Sequence, residues 1–183
     1  QEFEHFRETG ALYVDKTEYV WRMVSANAVN FFLSRPRRFG KTLMLDTVRT
    51  FFSPEFKDRP ELFAGLFITR DDDLMALRGA VPVIFLSFAD IKAMSFSSAL
   101  ERIKDCIAEL YRAHRDAISG FMTEDECRTF FSLIPTMSDS TAQIALKRLS
   151  ELLFLRHGVK PVILLDEYDT PMQEAWLAGC WDE

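Results

Sequence analysis

The chain has 183 residues, 48% apolar and 27% charged, with a formal net charge of −6. That length allows one domain with a sizeable core, and the composition is ordinary for a globular protein. The acidic balance argues against a broad nucleic-acid surface and confines any anion site to a local basic island, and no apolar run reaches membrane-spanning length.

Seventeen phenylalanines point to a phenylalanine-rich core. Cys106, Cys127 and Cys180 are odd in number, far apart and without a C-x-x-C pair, which indicates neither a disulfide framework nor a zinc site. A reducing, cytoplasmic setting fits them best. The chain opens at Gln1 without Met and stops without an ending signal, so trimming at both ends is expected.

In chain order, Asp15 is placed to cap a helix through Tyr19, Val20, Trp21, Met23 and Val24. Residues 29–34 form a short apolar run that reads as a buried strand. Residues 42–52 are apolar at helical spacing and end at Ser53-Pro54. The stretch to about residue 73 reads as irregular or in short pieces. AVPVIFLSF, residues 80–88, is a second buried strand. Ser98-x-x-Glu101 and Thr123-x-x-Glu126 are capping boxes for two helices, to about Arg115 and through Phe131. A third helix covers about 141–157 and stops at Gly158. PVILL, residues 161–165, is a third buried strand, and Thr170-Pro171 starts the last helix. Apolar strands alternating with helices predict a mostly parallel sheet covered on both faces. The helical stretch from 97 to 157 exceeds a simple crossover and reads as an insertion.

Two motifs carry chemistry. The first is RPRRFGKT, residues 35–42, between the first predicted strand and a predicted helix. It nearly matches the phosphate loop G-x-x-x-x-G-K-[ST], with Arg35 at the first glycine. In such a loop backbone amides and a helix start hold phosphate oxygens, the lysine reaches the β- and γ-phosphates, and the hydroxyl ligates Mg²⁺. Gly40, Lys41 and Thr42 match those roles in order. Pro36 disfavours a positive-φ turn at Arg35, so the turn is expected to open at Pro36. The nucleotide-contacting set is Arg37, Arg38, Phe39, Gly40, Lys41, Thr42 and Leu43. The bland alternative is a basic surface loop before an ordinary helix.

The second motif is PVILLDEYD. A carboxylate at the C-terminal end of a buried strand is where α/β sheets build ligand sites. Asp166 takes the Walker B role toward Mg²⁺, and Glu167 that of general base on the attacking water. Asp169 reads as a cap for the next helix. His5, His114 and His157 show no ligand spacing, and Trp21, Trp176 and Trp181 read as core or interface residues.

YVDKTEYV, FFLSRPRRFGKTLML, PVIFLSF and VILLDEYDTPM resemble, in order and spacing, successive blocks of the AAA-ATPase-like domain family of bacteria and archaea. The resemblance implies one P-loop NTPase domain over 1–183, with a three-layer αβα arrangement, a helical insertion and a sheet truncated after the Walker B strand. It implies ATP and Mg²⁺, with Walker A at 35–42 and Walker B at 162–167. Arg35 for glycine is a trait of that family. Many relatives continue into a PD-(D/E)xK nuclease-like domain. Of the Tyr13–Thr17 block, two readings stand: it lies near the nucleotide or positions the loop, or Asp15 caps while Tyr13 and Val14 pack, the latter slightly favoured. The expected function is ATP hydrolysis that drives or switches a neighbouring domain; the alternative is nucleotide sensing with little turnover. A small-molecule kinase ranks last, and direct nucleic-acid binding is not expected.

Overall fold

The computed structural model describes residues 2–26, 28–34, 36, 38–92 and 95–179. The chain divides into two compact units, Gln1–Val83 and Ile84–Glu183, and each is described by itself.

The first unit contains α1 (Phe3–Thr9), α2 (Glu18–Ser25), α3 (Lys41–Phe52) and α4 (Asp72–Met75). Between α3 and α4 the chain makes three 3₁₀ turns, Pro54–Phe56, Pro60–Phe63 and Phe67–Arg70. Pro54 and Pro60 suit the first two of these, because a fixed φ starts a tight turn readily. The core is aromatic, as the phenylalanine count suggested. Phe3, Phe51 and Phe63 are fully buried, with ring centroids 5.0 Å apart for Phe3 and Phe63 and 5.3 Å for Phe51 and Phe63.

Helix α3 is the spine of this unit. It buries Met44, Val48, Phe51 and Phe52, and also Asp46, Thr47 and Thr50. The buried polar groups are satisfied locally. Thr47 and Thr50 hydroxyls donate to the carbonyls of Leu43 and Asp46, each at 2.8 Å. The Asp46 carboxylate accepts the Phe3 N–H at 2.6 Å and so ties α1 to α3. Burial pushes the Asp46 carboxyl upward, against the Phe3 N–H and Arg49, which work to lower it.

The second unit holds β1 (Val83–Ser87) and β2 (Val162–Asp166), paired in a small parallel sheet. Parallel neighbours require a crossover. Here it is built from α5 (Phe96–Ala113), α6 (Arg115–Ser119), α7 (Glu124–Leu133) and α8 (Asp139–His157). Ile84, Ile107, Leu110, Tyr111, Ile118, Leu149 and Leu153 form its core. The Tyr111 hydroxyl donates to the Ala145 carbonyl at 2.9 Å, so a buried polar tip is paired. Last comes α9 (Thr170–Ala178). By content the chain is mixed α/β and mostly helical, and among the described residues no helix is long and apolar enough to cross a membrane.

Several sequence expectations need correction. Residues 29–34 are not a strand: Val29 is 94% and Phe32 74% exposed. Among the described residues the sheet has two strands, and this run belongs to neither. β2 is not buried on both faces. Leu164 and Asp166 point inward, while Ile163 and Leu165 are exposed, the alternation of a half-covered strand. The capping box at α5 uses Ser95 and Ser98, and Glu101 instead pairs with Lys104 at 2.9 Å. The box Thr123/Glu126 forms as read, and Gly158 ends α8 at φ 72°.

Candidate functional site: a phosphate-type loop and an acidic strand end

The basic loop lies wholly in the first unit. The Phe39 N–H donates to the Pro36 carbonyl at 3.4 Å, so the turn opens at Pro36. Arg38 follows with φ 65° and Gly40 with φ 75°. A left-handed residue costs an L-amino acid about 1–2 kcal/mol and glycine nothing comparable. Gly40 stands at the cap of α3, and the first rung of the helical ladder runs from Met44 N–H to Gly40 carbonyl at 2.9 Å. The opening amides of Lys41, Thr42 and Leu43 precede that rung, which is the arrangement that favours anions at a helix start.

Arg38 is exposed, Phe39 is 60% exposed, and Leu43 is half-buried. Thr42 is exposed in the first turn of α3. Lys41 is half-buried, and among the described residues its ammonium has no hydrogen-bond or ion-pair partner. Arg35 and Arg37 lie outside the described residues.

The Tyr13–Thr17 block packs beside this loop. Asp15 does not cap α2. Thr17 occupies the cap position without a side-chain cap bond. The Asp15 carboxylate instead accepts the Thr17 N–H at 2.8 Å, the Thr17 hydroxyl at 2.7 Å and the Phe67 N–H at 2.6 Å. Partial burial works to raise the Asp15 carboxyl, but the Phe67 and Thr17 hydrogen bonds outweigh it and hold the group below the usual carboxylate range. The fully buried Thr17 hydroxyl also accepts the Ile68 N–H at 3.1 Å. Tyr13 lies 3.4 Å from the Thr47 hydroxyl of α3 and stacks edge-on against Phe3, whereas Val14, expected to pack, is exposed. The Lys16 ammonium reaches the Phe39 carbonyl at 3.4 Å. Sequence reasoning did not single out Lys16; nothing in D-K-T by itself signals where its side chain goes.

The acidic motif lies in the second unit. β2 ends on Asp166, which is only 5% exposed and whose carbonyl accepts the Phe88 N–H at 3.0 Å. Glu167 follows with φ 49°, half-buried, and its carbonyl accepts the Thr170 N–H at 3.0 Å. Asp169 holds the cap position of α9, but its side chain makes no cap bond and accepts from Gln173 Nε2 instead. Trp21 donates to Asp71 at 2.8 Å, and Trp176 is 71% exposed, so neither fills the core; Trp181 lies outside the described residues. Cys106 and Cys127 are free thiols.

Among the described residues, Arg38 and Glu167 are the non-glycine positions with positive φ. Each falls in one of the two motifs. Such conformations persist where the surroundings over-determine them and gather at functional sites. The residues present fit a nucleotide with Mg²⁺. The loop supplies a helix start, a left-handed glycine and, among the described residues, an ammonium without an ion-pair partner, and the Thr42 hydroxyl is an oxygen donor of the kind Mg²⁺ takes beside phosphates. Among the described residues no cluster of three or more His, Cys, Asp or Glu could hold a metal alone.

No solved structure matches the chain. A protein of Azotobacter chroococcum mcd 1, described as an uncharacterized protein in the vnfD 5′ region, is 30% identical over 160 residues. The match covers 87% of this chain and 26% of that relative, so the chain spans about a quarter of the relative's length. The family model described as "Predicted AAA-ATPase" matches residues 1–180, through both units and both motifs. The chain therefore belongs to the AAA-ATPase-like family.

Proposed function

We propose that the chain is an ATP-binding P-loop module that hydrolyses ATP. The observation that carries this reading is the start of α3: a left-handed Gly40 followed by Lys41 and Thr42 at the first helical positions. The single family match through both units supports one domain over 1–183. The three-layer αβα arrangement belongs to the same proposal.

The roles follow from the chemistry of each group. Backbone amides from Arg38 to Leu43 bind phosphate oxygens, and Lys41 adds a point charge to the terminal phosphates. Arg37 and Arg38 add positive charge to the loop. Thr42 and Asp166 are the residues that would hold Mg²⁺, which supplies charge neutralisation to the transferred phosphoryl group. Glu167 accepts a proton from water, the step that makes water a nucleophile. Phosphoryl transfer to water is otherwise positioning and charge stabilisation, and these groups suffice for it. Turnover would act on a neighbouring domain. The matched stretch is 26% of the A. chroococcum relative, which leaves room in that protein for one, and a PD-(D/E)xK nuclease-like domain is the proposed type. The proposed setting is cytoplasmic.

Phosphate release with ATP and Mg²⁺ tests the reading. Wild type should release phosphate, Lys41→Ala should lose nucleotide and release, and Glu167→Gln should keep ATP bound while release stops. Equal release from wild type and Glu167→Gln would remove Glu167 as the base. Binding without release from wild type would leave a nucleotide-sensing module.

A further inference from the structure

Lys16 stands out because its neighbours are fixed and its charge is not. Asp15 and Thr17 are pinned to the backbone of Phe67 and Ile68 by two hydrogen bonds, of 2.6 and 3.1 Å, and to each other by a side-chain bridge at 2.7 Å. The residue between them is thereby held against the phosphate loop. Its Nζ lies 3.4 Å from the Phe39 carbonyl and 3.8 Å from where a Cβ on Gly40 would sit. The Asp15 carboxylate is spent on Thr17 and Phe67, and among the described residues no carboxylate pairs with Lys16 or Lys41. Among the described residues, the one hydrogen bond that the Lys16 ammonium makes, a long contact to a neutral carbonyl, holds a full charge only weakly.

We propose that Lys16 is a second phosphate-binding cation, which reaches across from the Tyr13–Thr17 block to the polyphosphate held by the Gly40–Lys41–Thr42 loop. The proposal rests on the reading of that loop as a nucleotide site. It gives D-K-T a division of labour: Asp15 and Thr17 fix the segment, and Lys16 supplies charge. The occupant it selects for is a polyphosphate, since each added negative charge gains more from an extra cation.

The test is calorimetric titration of ATP, ADP and inorganic tripolyphosphate into wild type, Lys16→Met, Lys16→Gln and Lys16→Arg, with Lys41→Ala alongside and thermal melts of every variant. Loss of one charge-assisted contact predicts about a tenfold fall in ATP and tripolyphosphate affinity for Lys16→Met and Lys16→Gln, a smaller fall for ADP, and rescue by Lys16→Arg. If Lys16→Gln, which can still bond the Phe39 carbonyl, restores binding, Lys16 is only a pin and the proposal fails. Equal losses for ATP and ADP overturn it too. ATP affinity of Lys16→Met within about twofold of wild type, with Lys41→Ala unable to bind, overturns it and leaves the loop reading intact. Unchanged binding in Lys41→Ala, or none in wild type, overturns both.

Discussion

Gly40→Ala is the sharpest probe of how the phosphate-type loop is built. Gly40 sits at φ 75°, so any L side chain there is strained by about 1–2 kcal/mol. Room is not the problem: the nearest atom to an added Cβ is the Lys16 ammonium at 3.8 Å, an ordinary contact. Gly79 provides the contrast. It has φ 65°, but there a Cβ would lie 2.7 Å from the Lys57 Cα, a backbone atom that cannot swing away. Strain then adds to overpacking of about 1–3 kcal/mol, for a total of about 2–5 kcal/mol. For a chain of this size each kcal/mol lowers Tm by about 2–4 °C. Urea titration and thermal melts should show a folded Gly40→Ala with a Tm lowered by about 2–8 °C, and a much larger loss for Gly79→Ala. The relief open to Gly40→Ala is to unwind the start of α3, which takes the opening amides out of register. ATP affinity should therefore fall further than stability does. Gly40→Ala with unchanged Tm and unchanged nucleotide affinity would refute the left-handed cap as the organising feature.

Three further outcomes follow. Asp15→Asn should lower stability by about 1–2 kcal/mol at pH 7 after allowing for solvent, because it weakens three hydrogen bonds to a carboxylate. The Asp15 carboxyl is held low in the fold, so its contribution is complete above the unfolded value of about 3.9 and disappears as pH falls through the folded value. The gap between wild type and Asp15→Asn in urea melts should shrink from pH 7 to pH 3, and a constant gap would contradict the ionic role. Phe51→Ala, at the centre of the aromatic core of the first unit, should cost about 3–5 kcal/mol in the same assay, and a cost under about 1 kcal/mol would show that core to be loose.

The helical parts were legible where local chemistry decides them. Residues 42–52 read as a helix, and α3 is observed as Lys41–Phe52. Thr123 and Glu126 form the box their spacing implies, and Gly158 ends α8, since caps are settled within a few residues. The strand of the acidic motif, read as residues 161–165, is found as Val162–Asp166. What failed depended on partners far along the chain. An apolar run such as 29–34 satisfies the pattern of a strand without specifying a neighbour to pair with. Asp15 had the look of a cap, yet its shortest hydrogen bond is to the Phe67 N–H, 52 residues away. Ser98 was read as the start of a box and serves as its closing residue, three positions after the Ser95 cap, because serine can play either part. For the candidate site, the spacing singled out Gly40, Lys41, Thr42, Asp166 and Glu167 as candidates, whereas the approach of Lys16 and the left-handed backbones of Arg38 and Glu167 depend on the folded chain and carry no local signature.

The most direct measurement is calorimetric titration of ATP with Mg²⁺ into wild type and Lys41→Ala at matched salt. A loop that works with arginine at its first position predicts binding in the micromolar range by wild type and its loss in Lys41→Ala, with both proteins melting alike. Indistinguishable titrations of the two, whether both bind or neither does, would contradict the account.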